Sequence, residues 1–385
     1  MIYLDNNATT PIDLEVKKAM LPYLEGEFAN PSGFYPAAKL VKYALEEARM
    51  ALAKALYVKD SRSIIFTSGG TESNNTAIRS ALKCLPHRRT IVTTSVEHSS
   101  IYFLCQELEE EGYTIKYIPV TRVGGLDLDA LQDALGPDVA IASIMWANNE
   151  TGVLFPIQDI ARIVKKQGIL FHVDAVQACG KVAIDLSDIQ IDYLSASAHK
   201  FHGPKGAGIL YVRSGALFSP LLYGGKQEHE RRAGTENVSG VIGMSTALNL
   251  AVSHLSEYTE QVSFLRDRLE TGLCSQISRC VVNGADLARL PNTLNMTIPD
   301  VNSEALLIRM GELGICASSG SACQTGALEP SHVLLAMGRS RDEALSSVRF
   351  SLSRFTTQSE IDFALDLVPK IVEELREIAR EESKV

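Results

Sequence analysis

The chain has 385 residues and a formal net charge of −9, a length that predicts about two domains and a charge that argues against broad binding of nucleic acids or anionic membranes. Hydrophobic residues make up 45% of the chain and charged residues 22%, as in ordinary soluble globular proteins. The first residues lack a secretory-signal pattern, and no apolar run approaches the ~20 residues of a membrane helix. Together with the negative net charge, these features lead us to expect neither a membrane partner nor a nucleic-acid partner.

Residues 60 to 212 alternate between short apolar runs and helical patterns. The predicted strands are, in chain order, "SIIFT", "TIVTT", "IKYIPV", "VAIASIMW", "ILFHVD", "IDYLSAS" and "GILYV". Helical patterns such as "ESNNTAIRSALKCL" and "IQDIARIVKKQG" lie between them. This alternation predicts an α/β fold with a mostly parallel central sheet and helices on both faces. Strands that are apolar throughout fit a sheet that is buried on both sides.

The pattern changes after residue 212. The stretch "YGGKQEHERRAGTEN" is polar and predicts a long functional loop, and a helical region follows from about Ser239 to Ser278. Strand-like runs ("TLNMTI", "SVRFSLS") then mix with helical ones. We therefore predict a large domain at residues 13–255. A smaller α+β domain, formed by residues 1–12 and 256–385, would carry a mobile loop around Cys323.

The cysteines indicate free thiols. There are seven, an odd number without zinc-site spacing, so we expect no metal site and a reducing, cytoplasmic location. Six occur in apolar or helical contexts, which predicts buried small hydrophobes. These six are Cys84, Cys105, Cys179, Cys274, Cys280 and Cys316. Cys323 differs, because it lies among small residues in "SSGSACQTGALEPSH".

Lys200 is the first candidate for chemistry. In "SASAHKFHGPKG" it follows an apolar strand and precedes glycines and a proline. This places it in a tight turn at a strand end, where ligands gather in open α/β sheets. A lysine there can form a Schiff base with a carbonyl cofactor or substrate. From this segment alone, a solvated loop lysine is an equally good interpretation.

Asp174 ends the strand in "FHVDAVQ", 26 residues before Lys200. A buried carboxylate is costly without a cationic partner, and the ring N–H of pyridoxal phosphate would be such a partner. Alone, Asp174 is better explained as a helix cap. Beside Lys200, the cofactor interpretation is favoured.

Further polar residues follow other strand ends. In "FTSGGTESNN", two glycines and Thr71 open a helix, and a helix N-terminus favours a phosphate. His98 in "TTSVEHSS" has the shape to stack on an aromatic ring and to shuttle protons, or is an ordinary histidine at a helix start. Asn149 follows a fifth strand in "MWANNETG". Five polar strand ends at one sheet edge indicate a shared site.

The motifs together resemble one family. They are "YLDNNATTP", "FTSGGTESNN", "SVEHSS", "NNETG", "HVDAVQ", "SAHKFHGPKG", "RAGTEN", "SSGSAC", "LEPSHVLLAMG" and "VRFSLSRFTT". In this order, from residue 3 to residue 357, the chain resembles the group I cysteine desulfurases of the nitrogen-fixation and iron–sulfur-cluster type. These belong to the class-V aminotransferases and have the fold of type-I pyridoxal-phosphate enzymes. "SAHKFHGPKG" combined with "SSGSAC" is the most specific part of the resemblance.

The resemblance implies a role for each candidate residue. Lys200 would carry pyridoxal phosphate covalently, Asp174 would pair with the ring nitrogen, and Gln177 with the phenolic oxygen. His98 would stack on the ring, and Asn149 would contact both cofactor and substrate. The phosphate would be held by Gly70, Thr71, Ser197, His199 and, from the other subunit of a homodimer, Thr235.

The resemblance also implies the reaction. L-Cysteine would bind with its carboxylate on Arg349, for which a guanidinium is well shaped; a surface position is the weaker interpretation of Arg349. Lys200 would remove the Cα proton, and the Cys323 thiolate would attack the substrate sulfur. His98 or the substrate amine would assist its deprotonation, and the sequence does not choose between them. L-Alanine leaves, and the persulfide on Cys323 passes to acceptors, chiefly an iron–sulfur scaffold protein.

Three residues depart from the family pattern. Tyr35 in "NPSGFY" stands where the family usually has histidine, and Gln324 and Thr325 follow the cysteine. None of them removes a chemical group assigned above. Two alternatives remain: a selenocysteine lyase or other C–S lyase on the same scaffold, and a non-catalytic binding or scaffold protein. The full set of Lys200, Asp174, His98 and Cys323 argues against the second.

Overall fold

The computed structural model describes residues 1–319 and 329–382. The strands are β1 (Ile2–Tyr3), β2 (Ile64–Thr67), β3 (Thr90–Thr94), β4 (Thr114–Ile118), β5 (Val139–Met145), β6 (Leu170–Asp174), β7 (Tyr193–Ser197), β8 (Gly208–Val212), β9 (Val281–Val282), β10 (Thr293–Thr297), β11 (Ile315–Cys316) and β12 (Ser347–Ser351). The helices are α1 (Leu14–Glu25), α2 (Pro36–Ala55), α3 (Gly70–Cys84), α4 (Ser99–Glu110), α5 (Leu128–Ala134), α6 (Ile157–Lys166), α7 (Gln227–Glu230), α8 (Val238–Ser253), α9 (Leu255–Gln276), α10 (Ser303–Glu312), α11 (His332–Ala336), α12 (Arg341–Leu345) and α13 (Gln358–Glu382).

The central sheet has seven strands in the order β2-β8-β7-β6-β5-β3-β4. Only β8 runs antiparallel to its neighbours β2 and β7, while the other pairs are parallel. All seven predicted strands lie in this sheet, and the predicted α/β fold with its mostly parallel sheet is confirmed. Every residue of β5 is buried, whereas the edge strand β4 alternates between covered and exposed positions. The apolar patterns of these strands therefore follow their depth in the sheet.

Helices cover both faces of the sheet. On one face, α3 and α4 bury Ile78 and Leu104 against Ile65 and Ile141. On the other face a larger core contains Leu52 of α2 and side chains of α6 and α8. Each helix contributes one apolar stripe, as its sequence period of 3.6 predicts.

The helical region predicted from about Ser239 to Ser278 is confirmed. It is two helices, α8 and α9, bent by 74° at His254, whose φ of −110° and ψ of 18° leave the helical region. Packing explains the bend. Leu248 of α8 belongs to the core on the large sheet, whereas Leu265 of α9 belongs to a separate core. No straight helix buries both side chains.

The separate core is formed by α9, α10 and α13 around a three-stranded antiparallel sheet, β12-β10-β9. The start of the chain joins it, because β1 pairs in parallel with β11 and Leu4 is buried beside Phe350. The division into residues 13–255 and residues 1–12 with 256–385 stays a prediction.

The cysteine prediction is partly wrong. Cys105 and Cys179 are buried, but Cys274 is exposed, and Cys84, Cys280 and Cys316 are partly exposed. Cys274 lies near the end of α9, on a turn that faces away from the core, so its helical context did not imply burial. Cys323 lies outside the described residues.

Within residues 1–319 and 329–382, no single helix has the length and composition of a membrane span, although the bent pair α8–α9 passes the same test. The same residues contain no group of three or more His, Cys, Asp or Glu side chains placed to hold a metal ion.

Candidate active site

A cavity of about 370 Å³ opens at the carboxyl edge of the central sheet. The strands β2, β3, β5, β6 and β7 run in the same direction and end here, so the residues after them meet. Ten of the predicted site residues line the cavity: Gly70, Thr71, His98, Asn149, Asp174, Gln177, Ser197, His199, Lys200 and Arg349. Thr235 does not line it, and Cys323 lies beyond the part of the chain that the structure describes.

Lys200 is placed by a short 3₁₀ turn that follows β7. The turn is tight, since a Cβ on Gly203 would lie 2.9 Å from the backbone oxygen of Ala198. Lys200 Nζ donates to the backbone oxygens of Asn7 at 2.6 Å and Ala8 at 2.8 Å. Burial and, secondly, the charge of Arg349 lower the pKa of Lys200 to about 8. A substantial fraction of this amine is therefore unprotonated and nucleophilic near neutral pH.

Asp174 presents a buried carboxylate to the cavity. It is the last residue of β6 and is 5% exposed. Its Oδ2 accepts from Asn74 Nδ2 at 2.7 Å, and its Oδ1 accepts from the backbone N–H of Val176 at 2.9 Å. No salt bridge to Asp174 occurs among the described residues. A buried carboxylate held by neutral donors alone is suited to a cationic N–H group.

The N-terminus of α3 forms the anion-binding end of the cavity. Its N-cap residue is Gly69, which provides no side-chain cap, so the first N–H groups of this long helix are open to a ligand. The β2–α3 turn packs so closely that a Cβ on Gly70 would lie 2.6 Å from Val176 Cγ2. A Cβ on Gly208 would likewise lie 2.6 Å from Gly69 Cα. Glycine is required at these contacts.

Ser197 and His199 lie on the neighbouring strand end and add donors. Ser197 is the last residue of β7. His199 Nδ1 lies 3.2 Å from Thr9 Oγ1. Burial, and then the charge of Lys200, lower the pKa of His199 to about 4, so the imidazole is neutral near neutral pH. It offers one N–H to a ligand rather than a positive charge.

His98 is the N-cap of α4. Its Nδ1 accepts from the backbone N–H of Ser100 at 3.1 Å and lies 2.9 Å from Ser100 Oγ. With Nδ1 as the acceptor, the neutral ring carries its proton on Nε2. The imidazole lines the cavity, and its partial burial lowers its pKa. Lys200 and His332 lower it further, and Asp174 opposes them.

Arg349 reaches the cavity from β12 of the second sheet. Its Nη2 forms a salt bridge with Asp5 Oδ1 at 2.8 Å, and its Nη1 donates to the backbone oxygen of Asn149 at 2.9 Å. Its Nε is buried and has no partner among the described residues. The guanidinium is thus held in place while retaining free N–H groups for a further acceptor.

Asn7 is a central residue that the sequence analysis did not select. Its backbone oxygen accepts from Lys200 Nζ at 2.6 Å and from Gln177 Nε2 at 3.0 Å. Its Nδ2 donates to Thr293 Oγ1 at 2.8 Å and to the oxygen of Asn149 at 3.2 Å. The available signal was a pair of asparagines in "YLDNNATTP", a segment with neither helical nor strand periodicity. Asn74, which orients Asp174, was missed as well.

Thr235 is exposed on the segment between α7 and α8. The preceding helix, α7, is fixed by a buried ion pair, in which Arg49 Nη1 and Nη2 contact the Glu228 carboxylate at 2.6 and 2.8 Å. Among the residues that depart from the family pattern, Tyr35 precedes α2, is 52% exposed and does not line the cavity. Gln324 and Thr325 lie outside the described residues.

Comparison with known proteins identifies the family. Residues 2–363 match the class-V aminotransferases, and the chain belongs to this family.

Curated relatives identify the group within it. The chain is 48% identical over 378 residues to the cysteine desulfurase NifS of Azotobacter vinelandii, covering 98% of this chain and 94% of that protein. It is 51% identical over 379 residues to cysteine desulfurase 2 of Trichormus variabilis, with 98% and 95% covered. The chain is therefore a member of the cysteine desulfurases of the NifS type.

Solved structures agree with this assignment. A NifS-like protein superposes with a TM-score of 0.91 at 36% identity, covering 97% of this chain and 99% of that one. SspA in complex with cysteine superposes with a TM-score of 0.81 at 33% identity, covering 93% and 100%. The predicted family and fold are confirmed.

Proposed function

We propose that the protein uses pyridoxal phosphate to remove sulfur from L-cysteine, releasing L-alanine and leaving a persulfide on Cys323. The observation that carries the proposal is the meeting of Lys200, Asp174 and Arg349 in one cavity. The nucleophilic amine of Lys200 suits the carbonyl group of a cofactor, and the buried Asp174 carboxylate suits a cationic ring. The fixed guanidinium of Arg349 suits the carboxylate of an amino-acid substrate. Relatives named as cysteine desulfurases support the same conclusion.

The size of the cavity and its polar atoms without hydrogen-bond partners both fit the cofactor. Its volume of about 370 Å³ lies within the usual range for small-ligand sites. Buried polar atoms without partners in the described chain include Asn149 Oδ1, Asn74 Oδ1 and Arg349 Nε. Such atoms are costly unless a ligand satisfies them. The open N-terminus of α3 adds donors suited to a phosphate.

In this assignment the anion-binding end, with Gly70, Thr71, Ser197 and His199, would hold the phosphate. Asp174 would accept from the ring nitrogen, and His98 would stack on the ring. Pyridoxal phosphate supplies, when bound, an aldehyde that couples to amines and a ring that withdraws electrons. Gln177 would donate to the phenolic oxygen.

The protein residues then position and deprotonate the substrate. Arg349 binds the substrate carboxylate with the N–H groups left free beside Asp5. Lys200 Nζ, a base with a pKa of about 8, takes the Cα proton. Asn149 presents its free Oδ1 to the bound ligand. Holding the carboxylate from the second sheet fixes the Cα–H bond relative to the amine.

Sulfur transfer is assigned to Cys323. Its thiolate forms a bond with the substrate sulfur as the Cβ–S bond breaks. One proton then completes the methyl group of alanine, and the proton held by Lys200 returns to Cα. One cysteine and one thiol thus give one alanine and one persulfide, without an external oxidant. His98 or the substrate amine takes the thiol proton. We infer that the persulfide then passes to an iron–sulfur scaffold protein or another acceptor in the cytoplasm.

The active unit in this proposal is a homodimer. Several exposed apolar side chains occur within one stretch of chain that includes α1 and α2: Leu21, Leu24, Phe28, Phe34 and Leu40. Exposed apolar side chains of this kind are what an interface between subunits covers. Thr235, exposed in a single subunit, would contact the phosphate in the other subunit of the pair.

Two variants test the assignments of cofactor and nucleophile. Lys200→Ala should remove the yellow colour of the purified protein, measured by visible absorbance. Cys323→Ala should retain the colour but abolish alanine formation from cysteine. An unchanged spectrum for Lys200→Ala would contradict the cofactor assignment, and a wild-type rate for Cys323→Ala would contradict the nucleophile. Parallel assays with cysteine, selenocysteine and cystine separate the desulfurase from a selenocysteine lyase.

A further inference from the structure

Lys181 is a buried lysine to which the mechanism above gives no role. It is 4% exposed, and lysine is almost never this buried without a charged partner. Among the described residues it forms no salt bridge. The charged groups acting on it, Lys200 and Arg349, are both cationic.

The backbone holds Lys181 in this position. The preceding residue, Gly180, has a φ of +76°, and a Cβ there would lie 2.8 Å from Phe201 Cβ. The turn therefore requires glycine and fixes the direction in which the lysine side chain leaves the backbone.

Lys181 Nζ makes two hydrogen bonds, both to amide oxygens. It donates to Gln177 Oε1 at 2.7 Å and to Asn7 Oδ1 at 3.1 Å. Burial, followed by repulsion from Lys200 and Arg349, lowers its pKa well below the ordinary value. Neither acceptor carries a charge that would oppose this shift.

The bond to Gln177 determines how the Gln177 amide is oriented. Since Gln177 Oε1 is turned toward Lys181, Gln177 Nε2 must face the opposite way, where it donates to the Asn7 backbone oxygen at 3.0 Å. The second N–H of Nε2 has no acceptor in the described chain, and Gln177 lines the cavity. Asn7 Oδ1 accepts from Lys181 and also from Asn292 Nδ2 at 3.0 Å, so the orientation of the Asn7 amide does not depend on Lys181 alone.

We propose that Lys181 is a positioning residue, which fixes the Gln177 side chain so that an N–H group, rather than the carbonyl oxygen, meets the phenolic oxygen of the cofactor. This inference rests on the proposed function, because it assigns an orientation toward pyridoxal phosphate. If the Gln177 amide were rotated by 180°, its Oε1 would face the phenolic oxygen of the cofactor, and both atoms are acceptors. Lys181 prevents that rotation, because its N–H groups would then face the amide NH₂ group of Gln177.

The test compares Lys181→Met, which keeps the length but removes both donors, with Gln177→Ala and the double variant. Lys59→Met, at an exposed position, is the control. Binding of pyridoxal phosphate to each apoprotein is measured by quenching of Trp146, the single tryptophan. The visible spectrum of the bound cofactor is recorded as a function of pH. Circular dichroism checks that each apoprotein is folded.

Lys181→Met should bind the cofactor roughly tenfold more weakly and should shift the pH midpoint of its spectrum. The double variant should be no worse than Gln177→Ala, because Lys181 acts through Gln177. Lys59→Met should behave as wild type. A wild-type affinity and spectrum for Lys181→Met, or fully additive losses in the double variant, would overturn the inference.

Two further results are distinguishable. If the wild-type protein itself does not bind pyridoxal phosphate, the proposed function fails. If Lys181→Met does not fold, Lys181→Gln is measured instead. The introduced glutamine has an uncharged NH₂ group, which retains two N–H donors. That variant should give the wild-type spectrum, and a spectrum like that of Gln177→Ala would contradict the inference.

Discussion

Lys200 illustrates how one residue obtains its reactivity from its surroundings. A free lysine is almost entirely protonated near neutral pH. Here burial and the charge of Arg349 lower the pKa to about 8, against the opposing effects of Asp5 and Asp174. The backbone oxygens of Asn7 and Ala8 fix where the amine points. Reactivity and direction therefore have separate structural sources.

The apoprotein should consequently combine with pyridoxal phosphate faster as pH rises. Only the unprotonated amine attacks the aldehyde, so the rate should increase through a midpoint near pH 8, measured by stopped-flow absorbance. Arg349→Gln should move the midpoint to higher pH, because a repelling charge is lost. Arg349→Lys keeps the charge and should shift it less. A midpoint near the ordinary lysine pKa in the wild type would contradict the assigned environment.

At the scale of elements, the sequence predicted the strands of the large sheet but not every connection. The strands were recognisable because burial on both faces makes them apolar throughout, as in β5. The polar residues after them were recognisable because parallel strands end at one edge. The bend at His254 was not, since neither proline nor glycine marks it, and only packing against two cores determines it.

Contacts between distant segments were also beyond reach of the sequence pattern. Asn7 meets Gln177 and Lys200 across gaps of 170 and 193 residues. Periodicity carries no information about such pairs. The same holds for the ion pair of Arg49 with Glu228, separated by 179 residues, which fixes the loop that was predicted only as polar.

Glu228→Leu should destabilise the protein by roughly 3 kcal/mol, because the buried Arg49 guanidinium loses its buried partner and keeps only the more exposed Glu46. Denaturant unfolding of the apoprotein measures the change. Arg49→Met combined with Glu228→Leu should recover much of the loss, as both charges are then absent. Lys370→Met is the matched control: it removes an exposed pair with Asp366, and should change stability by less than about 1 kcal/mol. Equal effects of the buried and exposed changes would contradict this account.

At the scale of the whole molecule, the site draws on both sheets. The central sheet contributes Lys200 and Asp174, the second sheet contributes Arg349, and the first residues of the chain contribute Asp5 and Asn7. Arg349 also joins the second sheet to the segment that leads toward Cys323, since its backbone N–H donates to the Ser318 oxygen at 2.6 Å. The proposed site for the substrate carboxylate and the start of that segment are therefore both attached to β12.

The proposed dimer predicts complementation between inactive chains. Lys200→Ala lacks the amine, and Thr235→Ala should weaken the phosphate site of its partner. In a mixed dimer, the site containing the intact lysine also receives the intact threonine. Random exchange should thus restore about a quarter of wild-type activity, since half of the dimers are mixed and each has one intact site. Absence of any recovery after demonstrated subunit exchange would contradict the shared site.

The position of Asn7 also has a consequence for synthesis of the chain on the ribosome. Asn7 emerges among the first residues, but Ser351, whose Oγ accepts from the Asn7 backbone N–H, follows 344 residues later. At about 5–20 residues per second, translation needs roughly 20–70 s to supply that partner. Lys200 is synthesised well before Ser351 is available to Asn7. The pocket is therefore completed only near the end of translation. Nascent fragments then have no complete pocket in which to trap an aldehyde.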